Sequence, residues 1–202
     1  MNTRVKYSVV LLSLGLILAF LPLSSYRSFS VKPERLLSAV VNDTSFFTVD
    51  QVAKFIVNED SSVRLVDLRT PEEFRKNSLP GAVNIPYTHF LDTDPQNYFS
   101  DKKIKNIFYS GDDLDANYAW VIARGFGYSN VYVMKGGLRE WYKTIMNSNF
   151  TGERITARQN AVFEIRFRAR RLFTEMNSLP DSLKVKYLLL RKVEKKKLDG
   201  GC

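Results

Sequence analysis

Ser110 with the three aspartates that follow it, one histidine and one cysteine are the side chains from which chemistry could be assembled in this 202-residue chain. The run Ser110-Gly111-Asp112-Asp113-Leu114-Asp115 offers a hydroxyl and three carboxylates within six positions. As a nucleophile Ser110 would need a base. The sole histidine, His89, lies in an irregular stretch with no pattern that places it beside Ser110. Asp112, Asp113 and Asp115 are oxygen ligands suited to a hard cation such as calcium, although their spacing matches no EF-hand loop. The competing reading is that Asp113 and Asp115 cap a helix beginning near Ala116. Cys202 is the last residue, after Gly200-Gly201. Lys195, Lys196 and Lys197 nearby would favour its thiolate, so it could form a mixed disulfide with a partner or carry sulfur on a mobile tail. With one cysteine there is no internal disulfide, no thiolate zinc site and no cysteine nucleophile inside the folded body. No motif implies a cofactor.

These side chains must be positioned by the elements around them. Thr48 with Gln51 three residues later is a capping-box pattern ahead of Val52, Phe55 and Ile56. Residues 63–68 read as a buried strand. Thr70-Pro71-Glu72-Glu73 starts a second helix, with a capping threonine, proline at the first position and acids at the positive dipole end. Leu79-Pro80-Gly81 breaks the chain before a short apolar piece at 83–85, and 87–103 reads as a loop with little regular structure. Strands are expected at 104–109 and 131–133, and helices at 116–124 and 138–146. Short apolar strands alternating with helices imply an α/β fold, a mostly parallel sheet with helices on both faces. Sites in such sheets form at the carboxyl ends of strands, which directs attention to the segment after Tyr109.

Three separated segments carry a family resemblance. They are Leu65-Val66-Asp67-Leu68-Arg69-Thr70-Pro71-Glu72-Glu73-Phe74, then Leu79-Pro80-Gly81-Ala82-Val83-Asn84-Ile85-Pro86, then Asn130-Val131-Tyr132-Val133 leading to Gly136-Gly137 and Trp141. Together, over residues 46–148, they resemble a rhodanese-like domain of the sulfurtransferase superfamily. Their local reading is structural: Pro80-Gly81 for a tight turn, Gly136-Gly137 for the passage from strand to helix, Asp67 and Arg69 for hydrogen bonds between neighbouring loops, and Trp141 for the fold. The resemblance implies that, in catalytic members, a cysteine follows the strand at 104–109 and is wrapped by backbone N–H groups at the positive end of the next helix. Here Ser110 occupies that position, and Asp115 stands where the family commonly has an arginine. A serine hydroxyl cannot hold sulfane sulfur. A carboxylate about 5–6 Å from a bound anion, at an effective dielectric near 20, repels it by roughly 3 kcal/mol. An exposed helix terminus returns only about 0.3–1 kcal/mol.

The formal net charge of +9 is unevenly divided. Residues 1–40 carry five basic and one acidic side chain, 41–150 twelve and fourteen, and 151–202 thirteen and six. Arg4 and Lys6 precede an apolar run from Val9 to Leu23, interrupted only by Ser13, Gly15 and Pro22. Residues 1–25 are expected to form an uncleaved signal-anchor, with a cleaved signal peptide and secretion as the alternative. The expected order is then a linker with a short helix at 26–45, the domain at 46–148, and a basic extension at 149–202. In that extension Val162, Ile165, Ala169, Leu172 and Met176 fall on one helical face, while Glu164/Arg168 and Arg171/Glu175 are i,i+4 pairs. The helix could pack on the domain, pair with another chain or lie on a membrane. Residues 183–193 fit helix and strand equally, and a disordered tail is expected from Lys195.

The expectation is therefore a membrane-anchored rhodanese-like domain outside the cytoplasm, periplasmic where that compartment exists, and without sulfurtransferase activity. It would be a pseudoenzyme acting as a binding or scaffolding module. Its partners would be the membrane through Val9 to Leu23 and an unidentified protein or an anionic envelope surface through the basic extension, with no nucleic acid. One alternative is a sulfur-handling or thiol-redox protein using Cys202. The other is a metal-binding module at Asp112, Asp113 and Asp115.

Overall fold

Side-chain alternation along three neighbouring strands divides the interior into two layers. Leu65, Ile107, Tyr109 and Met134 belong to one buried cluster, and Val66, Leu68, Phe108, Val131 and Val133 to the other. That period of two is what a sheet covered on both faces requires. The structure is a computed structural model and describes residues 3–19, 29–40, 43–91, 98–149 and 156–199. Its helices are α1 (Thr3–Ala19), α2 (Pro33–Val40), α3 (Val49–Asn58), α4 (Pro71–Lys76), α5 (Leu114–Gly125), α6 (Gly137–Trp141), α7 (Ala157–Asn177) and α8 (Asp181–Asp199). The strands are β1 (Phe46–Phe47), β2 (Val63–Asp67), β3 (Val83–Asn84), β4 (Lys105–Tyr109) and β5 (Val131–Met134). They form one sheet in the order β1-β5-β4-β2-β3. Every pairing is parallel, with Asp67 level with Tyr109 and Phe108 level with Val133.

Local signals set the helix starts. Thr48 and Gln51 form a reciprocal capping box on α3, and Thr70 and Glu73 do the same on α4, with Pro71 at its first turn. Gly81 has φ +78° and Ala82 donates to the Leu79 carbonyl at 3.1 Å, closing the tight turn that Pro80-Gly81 announces.

Several expectations are corrected. Two residues of Phe46–Phe47 make an edge strand beside β5 where none was expected. The stretch after Pro86 is more than a loop: Phe90 and Phe99 are buried and both pack edge-on against Phe108. The last helix of the body changes winding, α-helical to Trp141 and π-helical over Tyr142–Met146. Residues 183–193 are helical. The helix also continues through Lys195, Lys196 and Lys197 to Asp199, where a disordered tail was expected, because lysine, leucine and glutamate are good helix formers.

The extension is part of the core. Ala169, Leu172 and Phe173 of α7 are buried in the same cluster as Val52, Ala53 and Ile56 of α3 and Trp141 of α6. Arg166 clasps Asp50 through two hydrogen bonds of 2.7 Å, an interaction that raises the Arg166 pKa despite partial burial. At the other end, Phe29 stacks on Phe126 with ring centroids 5.4 Å apart. Among the described residues no helix is long and apolar enough to cross a membrane. α1 has 17 residues, and the end of the apolar run, 20–23, lies outside the described residues.

Candidate functional site

The carboxyl end of the central strand β4 delivers Ser110 to a pocket of about 390 Å³, the location that open parallel sheets use for ligands. Its wall includes Arg69, Glu73, Tyr87, Ser110, Asp112 and Asp115. Ser110 is buried, and its hydroxyl donates to Asp115 Oδ2 at 3.1 Å.

Two contacts fix the backbone of this loop. The carbonyls of Ser110 and Gly111 accept from the N–H groups of Leu138 at 2.9 Å and Arg139 at 3.0 Å. In a planar trans peptide the N–H points opposite to its carbonyl. The amides of Gly111 and Asp112 therefore face away from α6. Gly137, at φ +54°, permits this approach: a Cβ there would sit 2.6 Å from the Asp112 carbonyl oxygen and 2.7 Å from that of Ser110. We expect Gly137→Ala to lower stability by about 1–3 kcal/mol, since both its backbone region and its neighbours oppose a side chain. In thermal unfolding that is a fall of roughly 2–4 °C per kcal/mol. An unchanged midpoint would mean that the loop moves freely off α6.

The three aspartates do not act as expected. Helix α5 begins at Leu114, and Asp113 at its N-cap makes no side-chain capping bond. The Asp113 carboxylate instead accepts from the Gly136 N–H across the loop. Asp112 accepts from the Leu114 N–H at 3.0 Å and lies 3.4 Å from Arg139. Asp115 receives the Ser110 hydroxyl. Three carboxylates turned to separate partners do not converge. Among the described residues no group of three or more His, Cys, Asp or Glu side chains could hold a metal ion.

Among the described residues Arg69 is the one cation in the pocket wall, and it is committed. Buried Asp67 accepts from the Arg69 amide and Nε at 3.0 Å each and from Nη2 at 2.6 Å. The same guanidinium donates to the Asn77 carbonyl at 2.7 Å and side chain at 3.1 Å. Burial alone would depress the Arg69 pKa, but the Asp67 carboxylate more than offsets it and raises the value. Burial, then the neighbouring Asp67 charge, pushes the Tyr109 phenol well up, so it stays neutral. Its oxygen accepts from the Leu79 N–H at 3.2 Å. Asn84 completes the tie by donating to the carbonyls of Asp67 at 3.0 Å and Arg69 at 2.9 Å. Asp67 and Arg69 thus bind neighbouring loops together.

Trp141 is fully buried in the core, away from the pocket wall, and its Nε1 has no partner among the described residues. Tyr87 and Thr88 line the pocket while His89, in the same short turn, does not. Neither Tyr87 nor Thr88 was marked by the sequence pattern, and Pro86 directly after the β3 segment was the only signal for that turn. Cys202 lies outside the described residues.

Comparison with known proteins places this geometry in context. Residues 48–144 match the family model of the rhodanese-like domain. The chain is 25% identical over 111 residues to the thiosulfate:glutathione sulfurtransferase of Saccharomyces cerevisiae, covering 50% of this chain and 80% of that one. It is 28% identical over 88 residues to the thiosulfate sulfurtransferase GlpE of Pseudomonas syringae pv. syringae, covering 44% of this chain and 80% of the relative. The crystal structure of the Saccharomyces cerevisiae single-domain sulfurtransferase RDL2 aligns at 25% identity and a TM-score of 0.42, over 49% of this chain and 89% of that one.

Proposed function

Residues 48–144 are a rhodanese-like domain homologous to sulfurtransferases, and from that premise we propose that this chain binds a partner through the pocket without relaying sulfur. One observation carries the reading: the side chain at the end of β4 is a serine whose hydroxyl is bonded to a carboxylate. Oxygen at that position cannot accept sulfane sulfur as a persulfide. Among the described residues, Glu73, Asp112 and Asp115 share the pocket wall with a single arginine, already paired to Asp67. The pocket therefore favours a neutral or cationic group over thiosulfate or phosphate.

The same proposal places the domain at a membrane and outside the cytoplasm. α1 is apolar on all sides, and Val9, Leu11, Leu12, Leu16 and Ile17 are exposed on it. Its 17 residues rise about 25 Å, against a hydrocarbon core of roughly 30 Å. The apolar sequence continues to Leu23. A helix with no polar face has no stable place in water.

The test is turnover of thiosulfate with cyanide as acceptor, on the full chain and on Cys202→Ala. Thiocyanate is expected at the uncatalysed rate from both. Robust turnover that survives Cys202→Ala would overturn the binding-module reading. For the anchor, the chain is expected to stay with membranes after an alkaline wash, and its release would remove that part of the proposal.

A further inference from the structure

Among the described residues, the outward face of α8 carries an unpartnered apolar stripe. Val185, Leu189 and Val193 recur at every fourth position, with Leu183 and Leu190 seven residues apart beside them, and all five are 45–66% exposed. The opposite face is occupied. Lys184 Nζ donates to the Arg75 carbonyl at 2.6 Å and lies 2.8 Å from Asp181. The Tyr187 hydroxyl bonds Glu175, and Arg191 lies 3.9 Å from Glu59 while also approaching the Tyr187 ring. The helix is thus held on the domain by polar groups, and it turns leucine and valine to the outside.

Lys186 is exposed within that face, and exposed Lys192 lies at its edge, where it also lines a groove with Leu188 and Arg191. By spacing, Lys186 lies one turn before Leu190, and Lys192 lies two turns after Val185 on the same side. Over its whole length α8 has seven basic and three acidic residues. We propose that this face lies on an anionic lipid surface, with Val185, Leu189, Leu190 and Val193 entering the boundary of headgroups and acyl chains and the lysines meeting lipid phosphates. Apolar side chains interleaved with lysine fit an interface where the long stems keep their charge at headgroup level. A second copy of the chain fits worse, because pairing the two faces would set the lysines of one against those of the other. The inference rests on the reading of α1 as an anchor only in that the anchor brings lipid within reach.

The test uses the full chain carrying Cys202→Ser and Leu189→Cys, labelled at residue 189 with an environment-sensitive fluorophore. It is mixed with vesicles of phosphatidylcholine alone or with added phosphatidylglycerol. Leu189 is exposed, so labelling leaves the fold intact, and circular dichroism checks this. With phosphatidylglycerol present the emission is expected to shift to the blue and to be quenched by a nitroxide on the acyl chains. With phosphatidylcholine alone it stays at the value for water. Lys186→Glu/Lys192→Glu is expected to reduce the lipid-inserted fraction on the order of 20-fold or more, each lysine near an anionic surface being worth about a five-fold factor. Salt near 1 M, where the Debye length is about 3 Å, is expected to act in the same direction.

A chain that floats with both kinds of vesicle while the label stays in water overturns this inference and leaves the anchor standing. A chain that floats only with anionic vesicles, dependent on Lys186 and Lys192, supports the inference and removes the anchor. Floating with neither removes both. A blue shift without nitroxide quenching overturns the lipid assignment in favour of contact between copies.

Discussion

Ser110→Cys alone is expected to leave this protein a very poor sulfurtransferase, and a second change at Asp115 is expected to raise its activity by one to two orders of magnitude. A thiol at residue 110 would inherit the neighbour that now accepts the serine hydroxyl, the Asp115 carboxylate at 3.1 Å. That charge opposes formation of the thiolate, which is the form that attacks sulfur. It also opposes arrival of the thiosulfate dianion. With a carboxylate about 5–6 Å from the anion and an effective dielectric near 20, the repulsion per unit charge is roughly 3 kcal/mol, or about 100-fold. Solvent at the open mouth reduces that figure, so the expected gain of Ser110→Cys/Asp115→Ala over Ser110→Cys is about 10- to 100-fold in kcat/KM. Ser110→Cys/Asp115→Arg should gain further by reversing the sign. The measurement is thiocyanate formation by the wild type, the single variant and both double variants, all in the Cys202→Ala background. Equal rates for the single and double variants would show that the carboxylate does not govern the pocket.

How far such a site could be read from residues alone depended on how local each interaction is. Thr48 with Gln51, three residues apart, forms the capping box that its spacing implied, and Thr70 caps its helix as expected, with Glu73 closing that cap into a second box. Asp67 and Arg69 lie two apart and bond to each other. Asp113 behaves differently because its partner, the Gly136 N–H, is 23 residues away and is aimed at it by a glycine turn. A carboxylate at a helix start has a good local use as a cap, and here a tertiary contact competes successfully for it. The two-residue strand Phe46–Phe47 has no period to detect. Phe90 and Phe99 were hidden for a related reason, since both reach the core from irregular backbone or its shortest helical turns. Residues 183–193 fit helix and strand equally because a short apolar run carries no period of its own. Contacts with Glu175, Arg75 and Glu59 accompany the helical outcome.

Deleting residues 150–202 is expected to abolish cooperative unfolding of the domain, although the family match ends at residue 144. The reason lies in what α7 covers. Leu172, Phe173 and Met176 are 2–4% exposed, and Phe173 packs on Trp141 with ring centroids 6.2 Å apart and edge-on against Tyr142. Burying each such side chain contributes about 1.5–3 kcal/mol. Their loss alone approaches the whole margin of roughly 5–15 kcal/mol on which a domain stands. The body loses more than these side chains, because Val52, Ala53 and Trp141 would be left facing water. Polar clasps go as well: Arg166 on Asp50, Arg170 on the Ile145 carbonyl at the end of the π-helical turn, and Asn177 exchanging two 3.0 Å bonds with the backbone of Ser78. Phe173→Ala separates packing from mere chain length. It keeps every residue of the extension and is expected to cost about 3–5 kcal/mol in urea unfolding. A shortened chain that melts cooperatively at the full-length midpoint, together with a silent Phe173→Ala, would show that the extension decorates a domain complete without it. Loss of cooperativity in the first and a large shift in the second would mean that the pocket at Ser110 is held in shape by a helix outside the family's own boundaries.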